Sequence, residues 1–222
     1  MIDHDRIAEV YEGTVGSREF QQASRRRIHW MCARVTGRDV LDVGCSQGLA
    51  SILLGREGHR VVGIDREHEA VRAARERLDH EEPLVRERVT FQIGEAGDLQ
   101  FPDETFDAVL LGEVLEHQLD PGKPLDEARR VLRSGGRLVI TTPYGIHPYP
   151  DHKDPLYLSP LLERLASELS IVEIDLVDRY VGVVADRSED RAPRVWRRAL
   201  RVAERRLADQ DETMESLRAL VI

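Results

Sequence analysis

The run Val40-Leu41-Asp42-Val43-Gly44-Cys45-Ser46-Gln47-Gly48 constrains this chain more than any other stretch. Its aliphatic and β-branched residues read as a short buried strand. Two glycines four apart let the backbone that follows turn tightly and pass close to a ligand. Asp42 sits where strand gives way to turn. A loop built for phosphate avoids a carboxylate facing its ligand, because like charges repel, whereas a cationic ligand invites one. The stretch therefore predicts a nucleotide-like ligand that is positive near this loop.

Around it, strands alternate with helices. Hydrophobic spacing predicts helix over 3–35 in two pieces, broken around 13–17, with Ser17 as N-cap and Phe20, Ala23, Ile28, Met31 and Val35 on the apolar face of the second piece. Further helices are expected at 49–57 (closed by Gly58), 66–80, 125–132 (stopped by Ser134-Gly135-Gly136) and 159–168. Between them fall strands at 59–65, 89–93, 106–111 and 137–142, and two closely spaced ones at 171–177 and 180–185. This predicts an α/β, doubly wound, Rossmann-like sheet, seven-stranded and mostly parallel with an antiparallel last strand. Residues 1–36 are expected to form a helical lid, 37–187 the α/β core and 188–222 a long C-terminal helix.

That tail carries Trp196, Leu200, Ala203, Leu207, Gln210, Met214, Leu217 and Val221 at alternating spacings of four and three, a heptad seam. It reads either as a helix lying on its own domain or as a coiled coil that makes a homodimer or leads into a further domain.

Charge and composition exclude some classes. The 222 residues carry a net charge of −9, which disfavours a general nucleic-acid binder. The basic patch Ser24-Arg25-Arg26-Arg27 reads as the solvated face of a helix. No apolar run approaches a membrane span, the N-terminus lacks a signal-peptide pattern, and two cysteines give no disulfide framework; a cytoplasmic protein without a membrane partner is expected.

In a parallel sheet with crossovers, ligands lie outside the carboxyl ends of the strands. Four acidic or glycine-rich strand ends fall there: the 42–48 loop, Asp65, Glu95 and Gly112-Glu113. Asp65 is placed to accept from both hydroxyls of a ribose, which alone would also suit a dinucleotide enzyme. G-x-G-x-x-G, however, needs glycine where Ser46 stands, and no G-x-x-x-x-G-K-[ST] occurs.

These residues resemble a known family. Asp42-Val43-Gly44-Cys45-Ser46-Gln47-Gly48 is similar to the D-x-G-x-G-x-G motif of class I S-adenosylmethionine-dependent methyltransferases, with Ser46 in place of the middle glycine. Val61 to Asp65, Gly94 to Leu99, Phe101 to Asp107 and Gly135 to Leu138 resemble its later motifs, in order. The resemblance covers about 35–145 and, more loosely, continues to Ala185. It implies S-adenosylmethionine as cofactor and S-adenosylhomocysteine as product. Asp42, Gly44, Ser46 and Gly48 would pass under the methionine part, Asp65 would take the ribose hydroxyls, Glu95 and Ala96 the adenine, Arg66 would be a further cofactor-binding residue, and Gly112 and Glu113 would border the transfer site.

A hydroxyl acceptor benefits from a base that removes its proton as the bond forms. His117 is the leading candidate, with Glu116 and His152 as further catalytic candidates, and the expected substrate is a small polar molecule such as a sugar or natural product. Glu113-x-x-Glu116-His117 with the later Asp151-His152 also resembles the arrangement of Hen1-type RNA ribose methyltransferases. That resemblance implies a divalent metal on Glu113, Glu116, His117 and His152, and an RNA 2′-hydroxyl as acceptor. A third reading is a non-catalytic cofactor-binding module in a coiled-coil assembly.

Overall fold

The computed structural model describes residues 6–143, 158–178 and 180–188. Helices α1 (Ile7–Glu12) and α2 (Arg18–Cys32) lead into β1 (Asp39–Val43), α3 (Leu49–Glu57), β2 (Arg60–Asp65), α4 (His68–Asp79), α5 (Pro83–Arg86) and β3 (Val89–Ile93). Then come β4 (Phe106–Gly112), a 3₁₀ turn at Leu115–His117, α6 (Gly122–Val131), β5 (Leu132–Pro143), α7 (Leu158–Glu168), β6 (Ser170–Val177) and β7 (Tyr180–Asp186).

The strands form one sheet in the order β3-β2-β1-β4-β5-β7-β6. β1 to β5 pair in parallel, and β7 runs antiparallel between β5 and β6, as the sequence pattern predicts. The order reverses at β1 and β4, which is where such a sheet opens a crevice. Register puts Asp42 level with Gly63 on one side and Leu110 on the other, and Gly112 level with Thr141. The functional ends of the strands therefore stand in one row.

Alternation along the strands supplies both layers. Val40, Val61, Ala108, Leu110 and Val139 face α2, α3 and α4, while Leu41, Ile64, Val109, Leu111 and Leu138 face α6 and α7. Ser17 does cap α2, its hydroxyl accepting from the Phe20 N–H at 3.2 Å, and Gly58 closes α3 at φ +103°.

The structure departs from expectation in three places. β5 begins at Leu132, immediately after α6, so Ser134-Gly135-Gly136 lies inside a strand instead of stopping a helix. Gly135 at φ +76° absorbs the irregularity, and the register against β4 shifts between Phe106 and Ala108. The short α5 was not foreseen; a proline in its first turn starts it. The patch 24–27 is not a solvated face: Ser24 and Arg27 are buried, and only Arg26 stands exposed, bidentate to Asp178 at 2.7 and 2.9 Å. The heptad tail, Asp151 and His152 lie outside the described residues.

Helix α2 rests on the far half of the sheet through Trp30. A Cβ on Gly182 of β7 would stand 2.4 Å from the indole, and Trp30 Nε1 donates to Asp175 at 3.1 Å, which fixes the ring. Gly182→Ala should therefore cost about 1–3 kcal/mol of unfolding free energy, measured by urea denaturation. An unchanged midpoint would show that α2 does not depend on this contact.

Candidate active site

The turn after β1 closes on β2. The N–H groups of Gly44 and Cys45 both donate to the Ile64 carbonyl, at 2.8 and 2.9 Å. Gly44, Ser46 and Gly48 all take positive φ (71°, 46° and 73°). A Cβ on Gly44 would lie 2.5 Å from Val114, and one on Gly48 would lie 2.4 Å from Phe91, so glycine is required at both for close approach as well as for conformation.

Asp42 lies beneath this turn. It is buried and accepts from the Ser51 hydroxyl at 2.6 Å, so it meets the loop from below and does not stand on its rim. Burial pushes its pKa up to about 6; the Ser51 hydrogen bond opposes that rise and the charge of Asp65 adds to it. Asp65 ends β2 with its carboxylate held from two sides, by the Ser46 N–H at 2.8 Å and the Glu67 N–H at 3.0 Å. Arg66 beside it is exposed and 3.3 Å from Glu67. Glu95 is exposed at the start of a turn whose Asp98 N–H returns to the Glu95 carbonyl, and Ala96 lies partly buried against the core.

The third wall follows β4. Glu113 takes φ +60°, a strained conformation for a residue with a side chain, while its N–H donates to the Thr141 carbonyl at 2.9 Å. Glu116 is buried in the 3₁₀ turn and accepts from the Thr142 hydroxyl at 3.4 Å. Burial raises the pKa of both carboxyls; for Glu116 the charge of Glu113 raises it further, and for Glu113 the Arg27 guanidinium partly offsets the rise. Arg27 reaches this corner from α2, with Nη1 3.9 Å from Glu113 Oε1 and 3.3 Å from Thr141 Oγ1, and its guanidinium lies 5.1 Å from the Tyr180 ring centre. Arg27 Nε, Glu113 Oε1, Glu116 Oε1 and Ser46 Oγ are buried with no hydrogen-bond partner.

The chain is similar to known proteins in sequence and in fold. Residues 41–140 match a family model described as a methyltransferase domain. A demethylmenaquinone methyltransferase from Tropheryma whipplei is 34% identical over 172 residues, covering 75% of this chain and 68% of the relative. The chain belongs to the class I S-adenosylmethionine-dependent methyltransferases. An O-methyltransferase from Penicillium expansum is 37% identical over 131 residues, covering 59% of this chain and 44% of that protein. The PH0226 protein from Pyrococcus horikoshii shares the fold, with a TM-score of 0.67 at 21% identity over 84% of this chain and 99% of that one. The chain spans about half the length of the first curated relatives it matches.

The methyltransferase cofactor fits the residues present. It has a positive sulfonium and ammonium, a carboxylate and a ribose. Against these the site offers the carboxylates of Asp65 and Glu113, the buried Arg27 guanidinium, and a glycine turn that a Cβ at either end would fill. Of the seven unpartnered buried side-chain atoms among the described residues, four, on Arg27, Ser46, Glu113 and Glu116, lie on these same walls. Of the predicted site residues, the structure brings Asp42, Gly44, Ser46, Gly48, Asp65, Gly112, Glu113 and Glu116 to one end of the sheet. His117, half-buried, ends the 3₁₀ turn beside Glu116.

Arg27 is the residue that sequence reasoning missed. Its signal was present: it falls four residues after Ala23 and four before Met31, on the apolar face of α2, where an arginine needs a buried partner.

The raised pKa of Asp42 has a consequence for stability. The folded chain holds this proton more tightly than the unfolded chain, so stability from this group is present below about pH 4 and is lost as pH rises through about 6. Asp42→Asn should flatten that part of the profile. Its stability relative to the parent should rise by up to about 3 kcal/mol between pH 4 and pH 7 in urea titrations. Parallel profiles would contradict the buried, proton-holding carboxyl.

Proposed function

We propose that this methyltransferase transfers the methyl group to a hydroxyl oxygen of a small polar molecule. The observation that carries the reading is the buried corner of Glu113, Glu116 and the adjoining His117, a proton-accepting environment at the end of β4. When bound, the cofactor supplies an electrophilic methyl group on a sulfonium. Everything else falls to the chain. Alignment of the acceptor in line with the breaking bond supplies much of the rate, and a base must take the hydroxyl proton as the new bond forms. His117 is assigned that base. Glu116, with its pKa raised by burial, orients its neighbours from below.

The amino-acid end of the cofactor meets a clamp of opposite charges. Arg27, the only buried cation among the described residues, takes the carboxylate, and Glu113 takes the ammonium. A buried guanidinium and a partly buried carboxylate 3.9 Å apart are only loosely paired, and a zwitterion answers both. The same guanidinium disfavours a metal-dependent reading, because a divalent ion on Glu113 would sit against it at the 3.9 Å separation of the pair. Among the described residues no group of three or more His, Cys, Asp or Glu is placed to hold a metal ion. The name of the Penicillium relative supports oxygen as the acceptor atom, and the name of the Tropheryma relative points to a quinone-type substrate in that protein.

Arg27→Met keeps the bulk and removes the charge. It should weaken S-adenosylhomocysteine binding by about 10- to 100-fold in calorimetric titration, the size of a lost charge-assisted hydrogen bond. Retained affinity would dispose of the clamp. For the acceptor, methyl-labelled cofactor offered to sugars, phenols and amines should label a hydroxyl compound, and His117→Ala should lower turnover of that compound at least 100-fold with product affinity unchanged. Label confined to amines, or undiminished turnover, would overturn the oxygen assignment or the base respectively.

A further inference from the structure

Ser46 stands where the loop pattern has glycine, at two local costs. Its φ of +46° lies in the left-handed region that side chains rarely adopt, and its Oγ is buried with no hydrogen-bond partner. Glycine would avoid both. Strain held next to a binding site calls for a functional reason, and the surroundings of Ser46 supply one. Its own N–H donates to Asp65 Oδ2, while Glu67 donates to Oδ1, so one residue carries both the amide that aims the ribose carboxylate and an unused hydroxyl.

We propose that Ser46 Oγ hydrogen-bonds the ribose of the cofactor beside Asp65. In this chain a side chain then grips the nucleoside half at a point where the pattern offers only bare backbone. The two groups are complementary: the Asp65 carboxylate only accepts, whereas a serine hydroxyl both donates and accepts and can serve a ribose oxygen whichever way its proton points. The proposal rests on the cofactor assignment.

The test uses the full chain and two probes, S-adenosylhomocysteine and 5′-methylthioadenosine, which share the nucleoside and differ in the amino-acid part. By calorimetry, Ser46→Ala and Ser46→Gly should each weaken both probes by about five- to tenfold, a neutral buried hydrogen bond. In the same experiments the ligand-free Tm of Ser46→Gly should rise by about 2–4 °C as the strain and the unpartnered hydroxyl disappear together. Affinity unchanged for both probes overturns the proposal. A loss seen with S-adenosylhomocysteine alone also overturns it, because the hydroxyl would then serve the methionine half. A parent chain that binds neither probe would instead overturn the cofactor assignment, which keeps the two failures apart.

Discussion

One carbonyl organises the working end of this molecule. The Ile64 oxygen receives the N–H groups of both Gly44 and Cys45, so the loop after β1 is tied to the last residues of β2. That fork is reachable only because Gly44 takes positive φ, and the space above Gly44 is filled by Val114 from the segment after β4. The three walls of the site therefore share one joint. Asp65 follows Ile64 directly, Ser46 follows Cys45, and Glu113 precedes Val114. Each wall inherits its position from a backbone contact and not from flexible side chains, which is what a geometrically demanding transfer requires.

Charge is distributed on this frame in a way that leaves the protein expectant. Asp42 and Glu116 are buried and Glu113 is partly buried, the pKa of each rises through desolvation, and Arg27 answers Glu113 only loosely at 3.9 Å. A core built for stability alone would replace such groups with hydrocarbon. Their retention makes sense if the missing counter-charges arrive with the ligand, because a sulfonium and an ammonium favour the ionised carboxylates that burial disfavours. The same groups that weaken the empty fold then become the source of affinity.

Much of this was legible in the residues. The alternation of apolar runs and helical spacing gave seven strands in the right places, because half-buried and fully buried strands leave strong patterns. The tight turn from Asp42 to Gly48 was legible because close backbone approach demands glycine at both ends, as the contacts a Cβ would make there show. Arg27 was not: a run of three arginines reads as solvated, and only the fold shows that one of them points inward. The start of β5 was hidden for a related reason. Ser134-Gly135-Gly136 has the composition of a stop, and pairing of the flanking Leu132 and Arg137 with β4, together with backbone bonds from Gly135 and Gly136 to Arg187, overrides that local preference. Glu95 was placed as a strand-end carboxylate, and the structure sets it in an exposed turn beside the site.

Arg27 also changes how the N-terminal segment should be understood. Ile28, Trp30 and Met31 of the same helix lie in the core, and a Cβ on Gly112 would stand 2.6 Å from Met31 Cε. The helix therefore packs directly on the last residue of β4, one position before Glu113. In front of it, the Ala8 N–H donates to Gln47 in the cofactor loop at 2.9 Å, and Arg25 Nε donates to the Tyr11 carbonyl at 2.5 Å. A cover that merely opened and closed would not be anchored at the bottom of the sheet's crevice. Here α1 leans on the loop while α2 is part of the wall, so the contact of Arg27 with Glu113 is set by the packing of α2 on the sheet and not by α1.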